Sequence, residues 1–218
     1  MKGKYLDGYT LELSGARVTA LASGALWWQA AGLLAVADLH LGRSERIARL
    51  GGALLPPYEV EDTLLRIEGA IEGTGARTVV CLGDTFDDAA AADLPEAATL
   101  WLARLMAGRR WIWIAGNHDP GPIMLGGEHR GELTIGNLTF RHIAEARARG
   151  EVSGHYHPKF RIAGQARPCF LTDGARMILP AFGTYTGGME AHHPDLRGHF
   201  GPRALAILTG RVARPVPC

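Results

Sequence analysis

Short apolar runs that stop abruptly at polar or glycine residues pattern the first half of the chain. Leu33-Leu34-Ala35-Val36-Ala37 stops at Asp38, Thr78-Val79-Val80-Cys81-Leu82 at Gly83-Asp84, and Trp111-Ile112-Trp113-Ile114-Ala115 at Gly116-Asn117. Unbroken apolar runs of this length predict strands buried on both faces of a sheet. Between them, residues 58–72 set Val60, Leu64, Leu65, Ile67 and Ile71 largely on one face of a helix, and 95–106 repeat the pattern with Leu100, Leu102 and Leu105. Pro95 stands where a first helical turn tolerates it. Residues up to about 130 thus read as β-α-β units.

From about Leu133 the pattern changes to short strands at 133–135, 138–142, 160–163, 169–172, 177–179 and 204–208, with hairpin turns expected at Gly136-Asn137, Gly164-Gln165 and Asp173-Gly174. The expected fold is α/β: a mixed sheet flanked by helices, packed on a second, more antiparallel sheet, with residues 1–218 as one domain. No internal repeat stands out; the nearest approach to low complexity is the alanine run at 89–92.

Composition narrows the picture. Hydrophobic residues make up 47% and charged residues 21%, as in ordered globular proteins. The net charge of +1 is far from the basic excess of a nucleic-acid binder, so such a role needs a local patch. The three cysteines, Cys81, Cys169 and Cys218, form no CxxC pair, and their odd number fits a reducing compartment. With no apolar leader and no run of about 20 apolar residues, the chain is expected in the cytoplasm, with no membrane partner.

The chemistry concentrates where the apolar runs end: Asp38-Leu39-His40, then Gly83-Asp84, then Gly116-Asn117-His118-Asp119. Open α/β sheets place their sites beyond the carboxyl ends of strands. His142 and Gly154-His155-Tyr156-His157 follow. Taken singly, Asp38, His40 and Asp84 read equally as helix caps or turn formers, and His142 as a core histidine. The ordered set favours metal ligation. Carboxylate, amide oxygen and imidazole suit Mn, Fe or Zn, and no thiolate asks for a softer metal. Side chains two apart on an extended segment point the same way, which would let Asp38 and His40, or His155 and His157, reach one centre.

On these residues the chain resembles the calcineurin-like metallophosphoesterase superfamily, whose DxH, GD, GNH(D/E), lone H and GHxH elements match Asp38/His40, Asp84, Gly116 to Asp119, His142 and Gly154 to His157. It is similar more closely to the PdeM branch of ligase-associated DNA-damage-response endonucleases and to ICC-like phosphoesterases. That likeness lies in Ala37-Asp38-Leu39-His40-Leu41-Gly42, Leu54-Leu55-Pro56-Pro57-Tyr58, Gly154-His155-Tyr156-His157-Pro158-Lys159 and Leu179-Pro180-Ala181-Phe182-Gly183-Thr184-Tyr185-Thr186-Gly187-Gly188. The resemblance implies a four-layer α/β/β/α sandwich and two divalent ions, manganese foremost with iron or zinc as alternatives. One ion would take Asp38, His40 and His157, the other Asn117, His142 and His155, with Asp84 bridging. It implies hydrolysis of phosphodiesters, with DNA as substrate, a repair setting and DNA-repair proteins as partners. The alternatives are a small nucleotide-like ester and a non-catalytic scaffold of the same fold.

His118, next to a ligand, is expected to face substrate and serve the leaving alkoxide, with Asp119 fixing its tautomer. In double-strand-break repair nucleases of the superfamily a His stands three residues after the bridging Asp; here that position is Asp87, a carboxylate expected near an anionic substrate. Arg43, Arg46 and Arg49 fit either a phosphate contact or a solvated helical face, with Ser44 as a candidate cap. The stretch 141–167 carries a local basic excess that could follow a nucleic-acid backbone. The tryptophans fit core packing better than base stacking. His129, His192, His193 and His199 are expected on the surface or in loops; the resemblance implies that 183–188 form a loop bordering the site.

Overall fold

The computed structural model describes residues 7–88, 93–119, 125–146 and 148–218; the alanine run at 89–92 and Arg147 of the basic stretch lie outside the described residues. The described chain opens with a meander absent from the sequence-based expectation: β1 (Gly8–Leu13), β2 (Ala16–Leu21) and β3 (Leu26–Trp28). β1 and β2 mix polar with apolar residues and β3 is only three residues long, so none carries an apolar run of the length that marks a buried strand. The apolar runs form β4 (Leu33–Val36), β5 (Thr78–Leu82) and β6 (Arg110–Ile114), parallel neighbours in the same sheet. The crossovers hold α1 (Arg43–Arg49), α2 (Glu59–Thr74) and α3 (Glu96–Met106), and β7 (Glu128–Arg130) closes the far edge. α2 ends at Gly75, whose φ of 68° terminates a helix at little cost.

The second sheet holds β8 (Glu132–Ile135), β9 (Leu138–Arg141), β10 (Glu151–Ser153), β11 (Lys159–Ile162), β12 (Gln165–Thr172), β13 (Arg176–Ile178), β14 (Leu205–Leu208) and β15 (Arg214–Pro217). Its order is β15-β14-β12-β13-β10-β9-β8, with β11 paired to β12. Among the described residues only the β9–β10 and β10–β13 pairs of this sheet run parallel, so the sheet is mixed and mostly antiparallel. Gly136-Asn137 and Asp173-Gly174 are hairpin turns as expected. The β11–β12 turn is Ala163-Gly164, one residue earlier than expected, because Gln165 already pairs with Ile162.

Alternation along the buried strands sorts residues into layers. Leu33, Ala35, Val80, Leu82, Ile112 and Ile114 face the second sheet and meet Phe140, Val152, Phe170, Met177 and Ile207. Leu34, Val36, Val79, Cys81, Trp111 and Trp113 face the other way, onto Leu64, Ile67 and Ile71 of α2 and Leu102 and Leu105 of α3. Cys169, Leu171, Ile178 and Leu208 form a third cluster with Leu196 of the one-turn α4 (Pro194–Arg197) and with Phe200. The result is the α/β/β/α sandwich, its last layer thin. Trp111 and Trp113 are buried packing residues, which removes them as stacking platforms. No helix among the described residues is long and apolar enough to cross a membrane.

Candidate metal centre

The ends of β4, β5 and β6 lie side by side, so parallel register alone gathers Asp38, Asp84 and Asn117. The second sheet brings His142 from just beyond β9 and His155 and His157 from the turn after β10. Backbone bonds tie these turns together: His40 N donates to the Asp84 carbonyl at 2.9 Å, and Gly154 N to the His142 carbonyl at 2.9 Å. The His155 amide donates to Asp38 Oδ2 at 2.9 Å and the His118 amide to Asp84 Oδ1 at 2.9 Å.

Two groups of donor atoms result: Asp38, His40 and His157, and Asp84, His142 and His155, the atoms within each lying inside 4.8 Å of one another. Asn117 joins the second group, its Oδ1 2.9 Å from His142 Nε2. The Asp84 Oδ2 atom stands between the groups, 3.4 Å from His142 Nε2 and 3.9 Å from His40 Nε2. Asp38, His40, Asp84 and His142 are buried. The expected site residues do converge, but not because the segments are extended: Asp38, His40, Asp84, His155 and His157 all adopt positive φ, between 44° and 70°. The paired side chains reach one centre from left-handed turns, a conformation disfavoured for any residue with a Cβ and one that clusters at functional sites.

The donor set fits metal ions on its own geometry. His142 Nδ1 lies 2.8 Å from the Leu82 carbonyl, which only an N–H on that nitrogen satisfies, so the neutral ring turns a bare Nε2 inward. That lone pair faces Asn117 Oδ1, Asp84 Oδ2 and, at 3.2 Å, His155 Nδ1. His40 Nε2 and His157 Nε2 likewise face each other at 3.2 Å. Acceptors converging this closely require a shared proton or a cation between them.

Electrostatics agree. Burial pushes the Asp84 carboxyl up, but its bond to His142 and the His118 amide outweigh that and bring it down to about 2. Burial pushes His142 down, yet Asp84 and Asp38 win and raise it; His155 is lowered by burial and by His142. The glycines of the motifs are required by close approach. A Cβ on Gly83 would stand 2.4 Å from His142 Nδ1, on Gly116 2.3 Å from Asp84 Oδ1, and on Gly154 2.6 Å from Asp38 Oδ2.

A model of the calcineurin-like phosphoesterase family matches residues 32–174, two thirds of the chain and all of these donor residues. The chain belongs to the calcineurin-like phosphoesterase family. It is therefore a metal-dependent hydrolase of phosphate esters, built around the dinuclear centre of that family. Among solved structures it is similar to the Pseudomonas putida nuclease MPE, at 27% identity and a TM-score of 0.74, over 96% of this chain and 100% of that one. No curated protein matches the chain.

Several neighbours of this phosphoesterase centre differ from expectation. Asp119 does not hold the His118 ring: its Oδ1 accepts from the Thr85 amide at 2.8 Å and its Oδ2 from the Gly116 amide at 2.8 Å, splinting the β5 and β6 turns together. His118 is exposed, and its ring lies edge-on to that of His40 at 5.6 Å. Asp87 is buried and paired, its Oδ1 2.8 Å from His40 Nδ1 and 2.7 Å from Arg43, its Oδ2 3.1 Å from Arg46. Burial pushes this carboxyl up, but His40 and the two guanidinium groups outweigh it and bring it to about 2.

The arginines of α1 are thus paired with carboxylates: Arg43 and Arg46 with Asp87, and Arg49, on the exposed side of the helix, with Asp88 at 2.7 Å. Ser44 is not the cap of α1: Gly42 occupies that position, and the buried Glu59 accepts from the Ser44 amide. In the basic stretch, Arg141 pairs with Glu132 and Glu145, and Arg161 with Glu190, which neutralises much of the excess. His129, His192 and His193 are exposed, whereas His199 is half-buried, 3.0 Å from the Tyr156 hydroxyl behind the His155–His157 turn. The longer-range partnerships, Asp87 with Arg43 and Arg46, Arg49 with Asp88, Asp119 with Thr85 and His199 with Tyr156, join segments 34 to 44 residues apart, so no local sequence signal marks them.

Proposed function

We propose that this phosphoesterase is a phosphodiesterase acting on DNA in repair, with manganese as its metal, iron or zinc serving in its place, and residues 1–218 working as one unit. In this reading Asp38, His40 and His157 hold one ion, Asn117, His142 and His155 the other, and Asp84 both. The carrying observation is the convergence of unshared lone pairs from seven side chains around the two groups. A shared carboxylate is what two cations about 3.5–4 Å apart need to offset their repulsion. The bound ions would supply an activated water and neutralise charge on the phosphoryl oxygens.

The protein's own part is positional. His118, exposed beside the cluster, presents an imidazole that can donate a proton to the leaving oxygen. Asp119 acts through the backbone by keeping the loop carrying Asn117 and His118 against the loop carrying Asp84. Shallow depressions flank the cluster, one of about 370 Å³ lined by Asn117, Arg141 and His142, the other of about 630 Å³ lined by His155, Tyr156 and Met189. An opening on both sides suits a chain-like diester that continues past the scissile bond. The nuclease title of the MPE relative supports the same reading, and three free cysteines suit the reducing cytoplasm.

The direct test supplies manganese to metal-stripped protein and assays single-stranded DNA beside bis-p-nitrophenyl phosphate. Cleavage of both, with salt-sensitive DNA binding, is expected; turnover of the small ester with no DNA cleavage would refute the DNA assignment. His118→Ala should lose about 10²- to 10⁴-fold in turnover with metal binding intact. Near-normal turnover would remove His118 from the mechanism.

A further inference from the structure

Eight non-glycine residues among those described hold positive φ. Five are candidate ligands. Ser14 and Ala163 sit in hairpin turns, next to Gly15 and Gly164. The eighth is Tyr185, with φ of 63°, which neither turns a hairpin nor reaches the metal groups. A bulky residue in this region is an outlier that glycine would avoid, and such outliers persist where the surroundings over-determine them.

The surroundings do so here. Residues 182–189 form a strap between the two turns that supply the first metal group. At one end the Phe182 and Gly183 amides donate to the Ala37 and Asp38 carbonyls at 2.8 and 3.1 Å; at the other, the Met189 amide donates to the Tyr156 carbonyl at 3.2 Å and the Lys159 amide to the Met189 carbonyl at 2.8 Å. Thr184 Oγ1 donates to Asp62 Oδ2 at 2.6 Å, and Lys159 Nζ to the Thr186 carbonyl at 3.1 Å. In the middle, the Tyr185 hydroxyl donates to the Pro56 carbonyl at 3.1 Å and its ring leans on Tyr58, 5.7 Å between centroids. Tyr58 is 49% exposed and Tyr185 half-buried beside it. Two residues of chain, at most about 7 Å, separate Tyr185 from Gly183 and so from the Asp38 turn. Apart from the Tyr185 hydroxyl itself, the strap's tethers run through Phe182, Gly183, Thr184, Thr186 and Met189 and do not require a ring at 185.

We propose that Tyr185, backed by Tyr58, is the stacking platform that takes a nucleobase of the phosphodiester substrate at the rim of the metal centre. This rests on the phosphodiesterase reading above. An aromatic face accepts any base and carries no charge to repel phosphate. The strap anchors its backbone two residues from the Asp38 turn, and the bond to Pro56 and the contact with Tyr58 fix the direction of its ring.

The test compares two esters with the same p-nitrophenolate leaving group, thymidine 5′-(p-nitrophenyl) phosphate and methyl p-nitrophenyl phosphate, on the manganese-loaded full chain. Tyr185→Gly relieves the backbone while deleting the ring. It should lower selectivity for the nucleoside ester over the methyl ester on the order of tenfold, chiefly through KM. Tyr185→Asn, which also tolerates this conformation, should do the same, and Tyr185→Phe should retain the parent's preference. Parental selectivity in both Gly and Asn variants would overturn the platform. A parent that hydrolyses neither ester would sink the phosphodiesterase reading, and the platform with it; a parent that hydrolyses both with no preference would overturn the platform alone.

Discussion

Gly154→Ala probes whether the first metal group tolerates any displacement. Gly154 does not use a left-handed φ, so alanine adds a volume problem and no backbone problem. Its Cβ would stand 2.6 Å from Asp38 Oδ2 and 2.8 Å from the Ala37 Cβ. Ordinary carbon–oxygen contacts begin near about 3.3 Å, so the carboxylate must withdraw by roughly 0.7 Å. Metal–ligand distances hold to within about 0.2 Å, several times less than that displacement. The variant should fold, losing about 1–3 kcal/mol to overpacking, and should bind one of two manganese ions at least about 10- to 100-fold more weakly, the size of effect seen when a ligand's support is disturbed. Calorimetric titration of metal-stripped protein, with thermal melts in chelator, separates the two effects. Gly187→Ala, with nothing within 4 Å of its added Cβ, is the control and should bind metal like the parent. Two manganese ions bound to Gly154→Ala with parental affinity would refute the geometry.

Other groups give independent checks. Arg176 is buried against Glu151 at 3.8 Å and donates to the Glu145 carbonyl at 2.9 Å; Arg176→Met leaves Glu151 with one guanidinium, Arg141 at 3.7 Å, and should cost up to about 3–5 kcal/mol, read as a lower Tm that Glu151→Gln partly restores. Burial pushes the Cys81 and Cys169 thiols far above their ordinary range, so a thiol reagent should modify neither in the folded protein and all three cysteines in denaturant. Burial pushes the Asp173 carboxyl up, but the amides of Gly201, Ala175 and Arg176 outweigh it and lower it. Its contribution is therefore full above the unfolded value of about 3.9 and is lost as pH falls through the lower folded value. Asp173→Ala should cost about 1–2 kcal/mol at pH 7 in urea titrations, with the gap closing in strong acid; a gap that stays constant with pH would contradict the assignment.

The sequence by itself determined the parallel core and the addresses of the candidate ligands. Unbroken apolar runs specify β4, β5 and β6, and polar atoms can only collect where those runs end, so Asp38, Asp84 and Asn117 were legible as a set before any contact was known. His142, His155 and His157 were legible through the motif spacing. The tertiary structure decided what local pattern cannot encode. His40 meets His157 across 117 positions, and Asp87 turns to His40 and two arginines because burial against α1 rewards a paired carboxylate over a free one. Asp119 serves backbone amides rather than its neighbour His118 because two loops approach there with unpaired N–H groups. The strained turns at the ligands, and at Tyr185, follow from the packing of two sheets that forces distant loops onto one centre. Propensity along the chain reports none of these, since each depends on what lies opposite in space.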